Sequence, residues 1–514
     1  MGKKFIILVF ALVLASSALS QNIQGDISEI KENLEYLASD ELEGRGTLTN
    51  GEYLASDFIA KKFSEYGVKP FGDNGTYFQN FPLIVSRFKP ESHVDIITND
   101  GNLTSFKFKS DFIIDARRIP DKHFMGSNSN IVFAGFGITA PEFNYDDYAD
   151  IDVKGKTVFI MDDEPLSEDS NYFRGVKPTQ YSFWGTKWRI ARSNGAAGLV
   201  IIATPETMER GKALGDLGSE ESISYHSNEN DGSNNRIPVI CISPELAANI
   251  LSGEKYDFEA LDNLFNESKP IPVFDLSKMI NFKFIIEEEE KMSRNVVGII
   301  EGYDPVLKHE YVSIGAHYDH EGIKNGVIYN GADDNASGTA AVMEVGKNLA
   351  NKKKNGRSIL LMLYSAEEKG LMGSKYLAEN SVYVNNIIAN INMDMVGRMS
   401  EDTLQSIGSR RLSSQLGDLV EEANSETSNF VLDYRYDAPD DPNRFYERSD
   451  HYNFAKQGIP VVFFFDNMDD DYHKPSDDSY KINYEKIAKV VSLVESLTLK
   501  LSNLETKLVI DNQN

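Results

Sequence analysis

Four apolar runs rich in β-branched and aromatic residues recur in the second half of the chain and predict buried strands. They cover residues 311–314, 359–363, 387–391 and 461–465. Residues 336–349, between the first two runs, follow helical spacing, so strands alternate with helices. This alternation predicts an α/β fold in which a mostly parallel mixed sheet is flanked by helices.

The first half of the chain carries different patterns. Apolar residues recur at helical spacing over 27–37, and a second helical segment follows. From residue 86 to residue 285 the pattern changes to short strands and turns, with the Asn-Asp-Gly sequence at 99–101 as a hairpin signal. We therefore expect a β-rich domain at 86–285, inserted into a discontinuous α/β domain of 21–85 and 286–514.

Histidine and carboxylate side chains follow the predicted strands. His317, the adjacent Glu367 and Glu368, and Asp394 each come just after an apolar run, and His473 follows the last one. Ligands of open α/β sheets bind outside the carboxyl ends of the strands. Imidazoles and carboxylates without a thiolate favour a borderline divalent cation, most of all Zn²⁺, with Mn²⁺ or Co²⁺ as alternatives.

The local sequence suggests how these side chains divide the work. Asp333 stands between a flexible Asn-Gly turn and the start of a helix, where one carboxylate can bridge two ions. Adjacent glutamates at a strand end point in different directions, so one can bind metal while the other acts as a general base. Asp319 is placed to accept the second imidazole N–H of His317 and so to fix its tautomer.

The motifs GAHYDH, NGADDNASG, SAEEKG, NMDMVG, SDHYNF and DYHKPSDD occur in this order between about residues 295 and 500. As an ordered set they resemble the M28 family of co-catalytic zinc metallopeptidases, which are mostly aminopeptidases. The resemblance implies two Zn²⁺ per chain, with His317, Asp333 and Asp394 on one ion and Asp333, Glu368 and His473 on the other. It further implies that Glu367 is the general base and that Tyr446 binds the carbonyl oxygen of the substrate.

Part of the predicted insert also resembles a known module. Residues 135–160 and the NGAAGLVIIA segment are similar to the protease-associated (PA) domain that M28 enzymes often carry. The chain is therefore expected to be a secreted aminopeptidase that hydrolyses N-terminal peptide bonds through a hydroxide bridging two zinc ions. The alternatives are another M28 amide hydrolase, such as a carboxypeptidase, dipeptidase or glutaminyl cyclase, and a non-catalytic protein that only binds peptides.

Composition and the N-terminal sequence limit the partners and the cellular location that we expect. The net charge of -27 argues against nucleic acid and anionic membranes as partners, because both need a basic surface. Lys3 and Lys4, an apolar run over 5–15 and small residues up to Ser20 predict a signal peptide that is cleaved near Ser20. The run is too short to span a bilayer, so we expect an extracytoplasmic protein without a membrane span. Cys241, the single cysteine, excludes an intramolecular disulfide and is expected to be a buried thiol.

Overall fold

The computed structural model describes residues 27–512 except 109–110, 115–118, 120–122, 168, 170–171, 174, 176–178, 205–206, 208–220, 226–235, 351, 399, 440 and 442. These residues form two compact units, one of 27–82 with 291–512 and the other of 83–290. The sequence predicts the boundaries at 86 and 285. The predicted signal peptide lies outside the described residues.

The first unit is built on a mixed sheet. Its four central strands are parallel and lie in the spatial order Ser358–Tyr364, Tyr311–His317, Ile387–Asp394, Val461–Phe465. Antiparallel strands flank them: the end of Val273–Ile300 pairs with the first and Thr403–Ile407 with the last. Short strands Lys69–Pro70 and Val431–Asp433 complete the edges. The predicted fold class, a mostly parallel sheet flanked by helices, is confirmed.

Helices cover both faces of this sheet because alternate strand residues point to opposite sides. Leu361 lies in one core with the helices 27–37, Asn50–Tyr66, Gly338–Ala350, Ser414–Glu426 and Tyr484–Ser502. Its neighbour Leu360 lies in the opposite core with Met372–Asn380 and His451–Ala455. Both leucines are fully buried, so the central strands have no solvent-facing side. Two of their ionisable residues, His317 and Asp394, stand at the strand ends.

The second unit is richer in strands, with its own aromatic and aliphatic core. The segments on either side of the predicted Asn-Asp-Gly turn pair as an antiparallel hairpin, His93–Ile97 with Leu103–Lys107. A parallel set contains the end of His123–Ala134 and the strands Thr157–Met161, Gly198–Ile202 and Val239–Ile242, and Phe112–Ile114 closes it antiparallel. Among the described residues, helices of this unit include Trp184–Ser193, Pro244–Leu251 and Phe258–Asn266. Cys241 is buried in this unit, and burial raises the pKa of its thiol, as expected for an inert cysteine.

Candidate metal centre

Two histidines and four carboxylates meet beyond the carboxyl ends of the central strands. His317 and Asp394 are the last residues of neighbouring parallel strands, and His317 Nε2 lies 3.2 Å from Asp394 Oδ1. The same nitrogen lies 3.3 Å from Asp334 Oδ1 and 3.9 Å from Glu367 Oε2. These contacts form the first half of the cluster.

His473 organises the second half. It lies in the loop after Val461–Phe465, and its Nε2 is 3.2 Å from Asp334 Oδ2 and 3.1 Å from Glu368 Oε2. Its Nδ1 faces Glu321 Oε1 at 3.3 Å. The two oxygens of the Asp334 carboxylate therefore face two different histidines, as expected of a carboxylate that bridges two cations.

Asp333, the residue that the sequence predicts as the bridge, is not part of this cluster. Its Oδ1 accepts a hydrogen bond from the backbone N–H of Gly397 at 2.8 Å, and among the described residues its Oδ2 has no partner. The neighbouring Asp334 lies between the two histidines instead. The two side chains leave the turn Ala332–Ser337 in different directions, so only one of them faces the histidines.

Hydrogen bonds to the backbone hold the turn that carries Asp334. The Asp477 carboxylate accepts the N–H of Asp333 at 3.0 Å and of Asp334 at 3.1 Å. Gly331 has a φ of 57° and lies so close to the Asp334 carbonyl that an added Cβ would stand 2.2 Å from it. The Asn335 side chain accepts from Gly338 N at 2.9 Å and donates to Met393 O at 3.0 Å, which ties the following helix to the Asp394 strand. The orientation of Asp334 is thus built into the backbone.

Asp319 supports His317 and Glu367, although not as the sequence predicts. The second ring nitrogen of His317 lies 3.1 Å from the backbone carbonyl of Asp319 and 3.8 Å from its carboxylate. The carboxylate accepts the N–H of Glu367 at 3.1 Å and the Thr47 hydroxyl at 2.9 Å. Asp319 therefore fixes the imidazole through its backbone and holds the Glu367 backbone through its side chain.

Tyr446, the predicted ligand of the substrate carbonyl, does not line the cleft. Its ring packs beside the Arg411 guanidinium, with Cζ 3.9 Å from the ring centroid, and against His451 at 5.6 Å. The preceding residue, Phe445, takes the cleft-facing position on this short helix. A different tyrosine lines the cleft: the Tyr472 ring stacks on His473 with 3.9 Å between centroids.

The cluster is electrostatically suited to cations. Burial lowers the pKa of both imidazoles, but the surrounding carboxylates outweigh burial and raise the pKa of His317 well above its usual value and that of His473 to about 11. Burial alone would raise the pKa of Glu368, yet His473 and His320 hold it well below its usual range. Carboxylates thus outnumber the positive charges around them, and the site attracts positive ligands.

The spacing of the donor atoms fits zinc. Ligands of a tetrahedral zinc ion at bond lengths of about 2.0–2.1 Å stand about 3.3 Å apart. The separations from His317 to Asp334 and Asp394 are 3.3 and 3.2 Å, and those from His473 to Asp334 and Glu368 are 3.2 and 3.1 Å. Nitrogen and carboxylate oxygen donors without sulfur suit this ion, so the residues present fit the implied metal.

Comparison with known proteins identifies the domain. Residues 295–498 match the model of peptidase family M28, and residues 129–250 match the PA domain. The chain carries an M28 peptidase domain. The M28 match contains every residue of the histidine and carboxylate cluster, and the PA match lies inside the second unit.

Two curated relatives support the M28 assignment. The chain is 24% identical over 291 residues to aminopeptidase YwaD of Bacillus subtilis, covering 53% of this chain and 57% of YwaD. It is 32% identical over 153 residues to aminopeptidase NAALADL1 of Mus musculus, covering 28% of this chain and 19% of that protein. The matched part thus spans between a fifth and about half of these relatives.

Solved structures share the fold. The aminopeptidase from Aneurinibacillus sp. strain AM-1 has a TM-score of 0.54 at 20% identity, covering 95% of this chain and 96% of that one. BSAP, a zinc aminopeptidase from Bacillus subtilis, has a TM-score of 0.51 at 19% identity, covering 95% and 98%. Across the part of the chain that the structure describes, no helix has the length and apolar character needed to cross a bilayer.

The first unit also contains site residues that sequence reasoning missed. His320 is fully buried with its Nδ1 2.8 Å from Glu368 Oε1, and Ser449 donates to Asp394 Oδ2 at 2.8 Å. Arg45 is fully buried and donates to the backbone carbonyls of Tyr318 at 2.7 Å and Gly331 at 2.9 Å, so it ties the loops after His317 and before Asp334 together. His320 had a signal in the sequence, since it ends the His-Tyr-Asp-His motif, whereas Arg45 is more than 270 residues away in sequence from both carbonyls.

Proposed function

We propose that this protein is a di-zinc aminopeptidase that removes the N-terminal residue of peptides. The observation that carries the proposal is the position of Asp334, whose two carboxylate oxygens lie 3.3 and 3.2 Å from His317 and His473. A single carboxylate between two imidazoles, each with a second carboxylate beside it, is the donor set of a two-metal hydrolase.

Asp334 would bridge the two ions. His317 and Asp394 would hold one zinc, and His473 and Glu368 the other. When bound, such a pair of ions polarises a peptide carbonyl and lowers the pKa of water at the site. The assignment keeps four of the five ligands that the sequence suggests and replaces Asp333 by Asp334.

Glu367 is the general base in this proposal. Its carboxylate reaches the cluster edge, with Oε2 3.9 Å from His317 Nε2, farther than the Asp334 and Asp394 oxygens at 3.3 and 3.2 Å. Burial raises the pKa of this carboxyl, which favours proton exchange near neutral pH. The Glu367 carboxylate would accept the proton of the attacking water and return it to the leaving amine.

Tyr472 takes the role that the sequence suggests for Tyr446. Its stacking on His473 holds the half-buried phenol beside the cluster. Burial and the nearby Asp334 and Glu368 raise the pKa of the phenol, so it remains a hydrogen-bond donor. We assign its hydroxyl to the carbonyl oxygen of the scissile bond.

The free amine of the substrate has an electrostatic reason to bind here. The four carboxylates of the cluster, together with Glu321, exceed what two divalent ions neutralise, so a positive α-amine lowers the free energy of the occupied site. An acyl cap removes that charge and leaves the carboxylates without a partner, which costs several kcal/mol when they are buried. The names of the relatives, which are aminopeptidases, agree with this preference.

The decisive experiment is a substrate panel. Zinc-loaded protein, with and without a chelator, is given peptides with free N-termini and their N-acetylated forms. We expect hydrolysis of the free peptides, little of the acetylated ones, and loss of both with the chelator. Equal cleavage of free and capped peptides would reject the aminopeptidase and favour another amide hydrolase, and zinc binding without any cleavage would favour a peptide-binding protein.

We also propose export from the cytoplasm, which rests on the signal-like sequence of residues 1–20. N-terminal sequencing of the secreted protein should begin near residue 21. A mature protein that retains Met1 or the Lys3-Lys4 pair would contradict it.

A further inference from the structure

One arginine at the cleft has a different environment from the other arginines of its segment. Arg410, Arg411, Arg435 and Arg444 each lie within 3.2 Å of a carboxylate oxygen of Asp418, Asp437, Asp433 and Glu447 respectively. Arg448 has no carboxylate within 4.0 Å among the residues that the structure describes. The chain has a net charge of -27, yet this guanidinium has no acidic partner in the described part of the chain and remains available to an acidic ligand.

Arg448 also has a defined place in the cleft. It lines the same cavity as Glu367, Glu368 and Asp394. Its guanidinium lies over the Phe445 ring at 5.0 Å, and its Nη2 is 3.5 Å from the Tyr472 hydroxyl. Stacking on an aromatic ring restrains a guanidinium while its N–H donors stay available.

The Arg448 guanidinium lies close to the histidine and carboxylate cluster, which limits the substrate groups that it can reach. Tyr472 contacts Arg448 through its hydroxyl and His473 through its ring, so a single side chain separates the guanidinium from a proposed zinc ligand. An extended dipeptide spans only about 7 Å. A substrate whose amine lies at the acidic cluster can therefore present a group from its own first two residues to Arg448.

We propose that Arg448 binds a carboxylate of the substrate, so that the enzyme prefers peptides with a negative charge close to the scissile bond. This inference rests on the proposed aminopeptidase activity. Guanidinium and carboxylate match in geometry and form two parallel charge-assisted hydrogen bonds. The carboxylate has two sources, the C-terminus of a dipeptide or the side chain of an acidic residue, and the chemistry of recognition is the same for both.

Matched substrates separate the two sources. Leucylglycine and leucylglycinamide differ only in the C-terminal carboxylate, and glutamylglycinamide and glutaminylglycinamide differ only in the side-chain carboxylate. For at least one pair we expect zinc-loaded protein to show a kcat/KM about 10-fold or more higher for the carboxylate, since hydrogen bonds to charged groups contribute on this scale. Arg448→Gln should bring that ratio close to one, and Arg448→Lys should retain part of it.

Arg444→Gln is the matched control, because it removes an arginine from the same segment that already pairs with Glu447. It should keep the wild-type ratio. A wild-type ratio near one for both pairs, or a ratio that Arg448→Gln leaves unchanged, would overturn the inference.

Calorimetric titration of zinc-loaded protein with both members of each pair gives a readout that needs no turnover. If no peptide is hydrolysed, the proposed function fails, while tighter binding of the carboxylate member that Arg448→Gln abolishes still supports the role of Arg448. If peptides are hydrolysed but both members bind and react alike, only the inference about Arg448 fails.

Discussion

Each of the two units buries a cluster of charged side chains, and the two clusters are built differently. In the second unit, Lys187 is fully buried and its Nζ donates to the carbonyls of Phe136, at 2.6 Å, and Asp163. Asp147 in the same core accepts from Phe136 N and Ile138 N, each at 3.0 Å. Every one of these contacts joins a protein donor to a protein acceptor.

The cluster of the M28 domain lacks this balance. Asp334 and Glu368 face imidazole nitrogens, which are donors only on the side that carries a proton. His317, His320 and His473 together offer fewer N–H groups than the surrounding carboxylate oxygens can accept. In the proposed function, bound cations supply the missing positive charge.

This difference separates a binding site from a structural network. A buried charge by itself is no sign of function, because Lys187 and Asp147 are buried and make their hydrogen bonds to protein groups. Carboxylates from several strand ends that lack enough donors are costly to bury. A bound cation or positive ligand offsets that cost, so such a cluster indicates a binding site. The variants below test whether the two clusters differ in this way, beginning with the largest expected effect.

Replacing Asp334 by Asn should have the largest effect. The change keeps size but removes the charge that both proposed zinc sites share, so zinc content should fall from about two per chain to one or fewer. Loss of a supporting residue typically costs 10- to 100-fold in metal affinity or activity, so loss of a bridging ligand should cost more than about 100-fold. Zinc content after dialysis and kcat/KM on a free peptide measure both.

Asp333→Asn is the matched control for that variant. Asn can still accept from the Gly397 N–H, so zinc content and most of the activity should remain. If the effects are reversed, with Asp333→Asn losing both ions and Asp334→Asn keeping them, Asp333 is the bridge.

Glu367→Gln should separate proton transfer from metal binding. Gln preserves the shape of the side chain but cannot accept the proton, so turnover should fall by about 10² to 10⁴ while zinc stays bound. The adjacent Glu368→Gln should lose zinc as well as activity, because Glu368 Oε2 lies 3.1 Å from His473. Near-normal turnover by the Glu367 variant would show that the roles of the two glutamates are assigned incorrectly.

The sequence predicts most of the fold because hydrophobic periodicity is a local property. The apolar runs ending at His317 and near Asp394 are strands whose every residue is buried or nearly so, and only a parallel sheet covered on both faces produces such runs. The strand ends in turn predict where histidines and carboxylates collect. The choice between neighbouring residues does not follow from this pattern.

Two of the site predictions illustrate that limit. Asp333 and Asp334 have the same side chain, and the hydrogen bonds from Asp477, about 140 positions away, determine which one faces the histidines. Tyr446 and Tyr472 differ in a similar way, since packing of Arg411 against Tyr446 leaves only Tyr472 at the cleft. Both choices depend on contacts between segments that are far apart in the sequence. The DYHKPSDD motif contains Tyr472 and Asp477, but it does not state which residues they contact.

The smallest expected effect concerns the self-contained cluster of the second unit. Burial lowers the pKa of Lys187 to about 8, although Asp162 and Asp147 partly oppose this. A lysine in the unfolded chain has a pKa near 10.4, so between about pH 8 and 10.4 the unfolded state binds more protons than the folded state. The contribution of Lys187 to the free energy of unfolding therefore rises with pH across this window and is constant below pH 8.

Lys187→Met removes this dependence together with two buried hydrogen bonds. The variant should be less stable by about 1–3 kcal/mol at pH 7.5, because the Phe136 and Asp163 carbonyls lose their donor. The gap to the wild type should widen by about 2 kcal/mol between pH 7.5 and 9.5, since one pKa unit corresponds to about 1.4 kcal/mol. Urea unfolding followed by tryptophan fluorescence reports on this unit, because the two tryptophans of the chain, Trp184 and Trp188, lie in the same helix as Lys187.

Lys156→Met is the matched control, because it removes a lysine of the same unit whose Nζ pairs with Asp275 at 2.8 Å near the surface. Surface ion pairs contribute about 0–1 kcal/mol, so this variant should stay close to the wild type at both pH values. A gap that widens equally in both variants would mean that the pH dependence does not come from Lys187. A gap that narrows for Lys187→Met as pH rises would contradict the lowered pKa of Lys187.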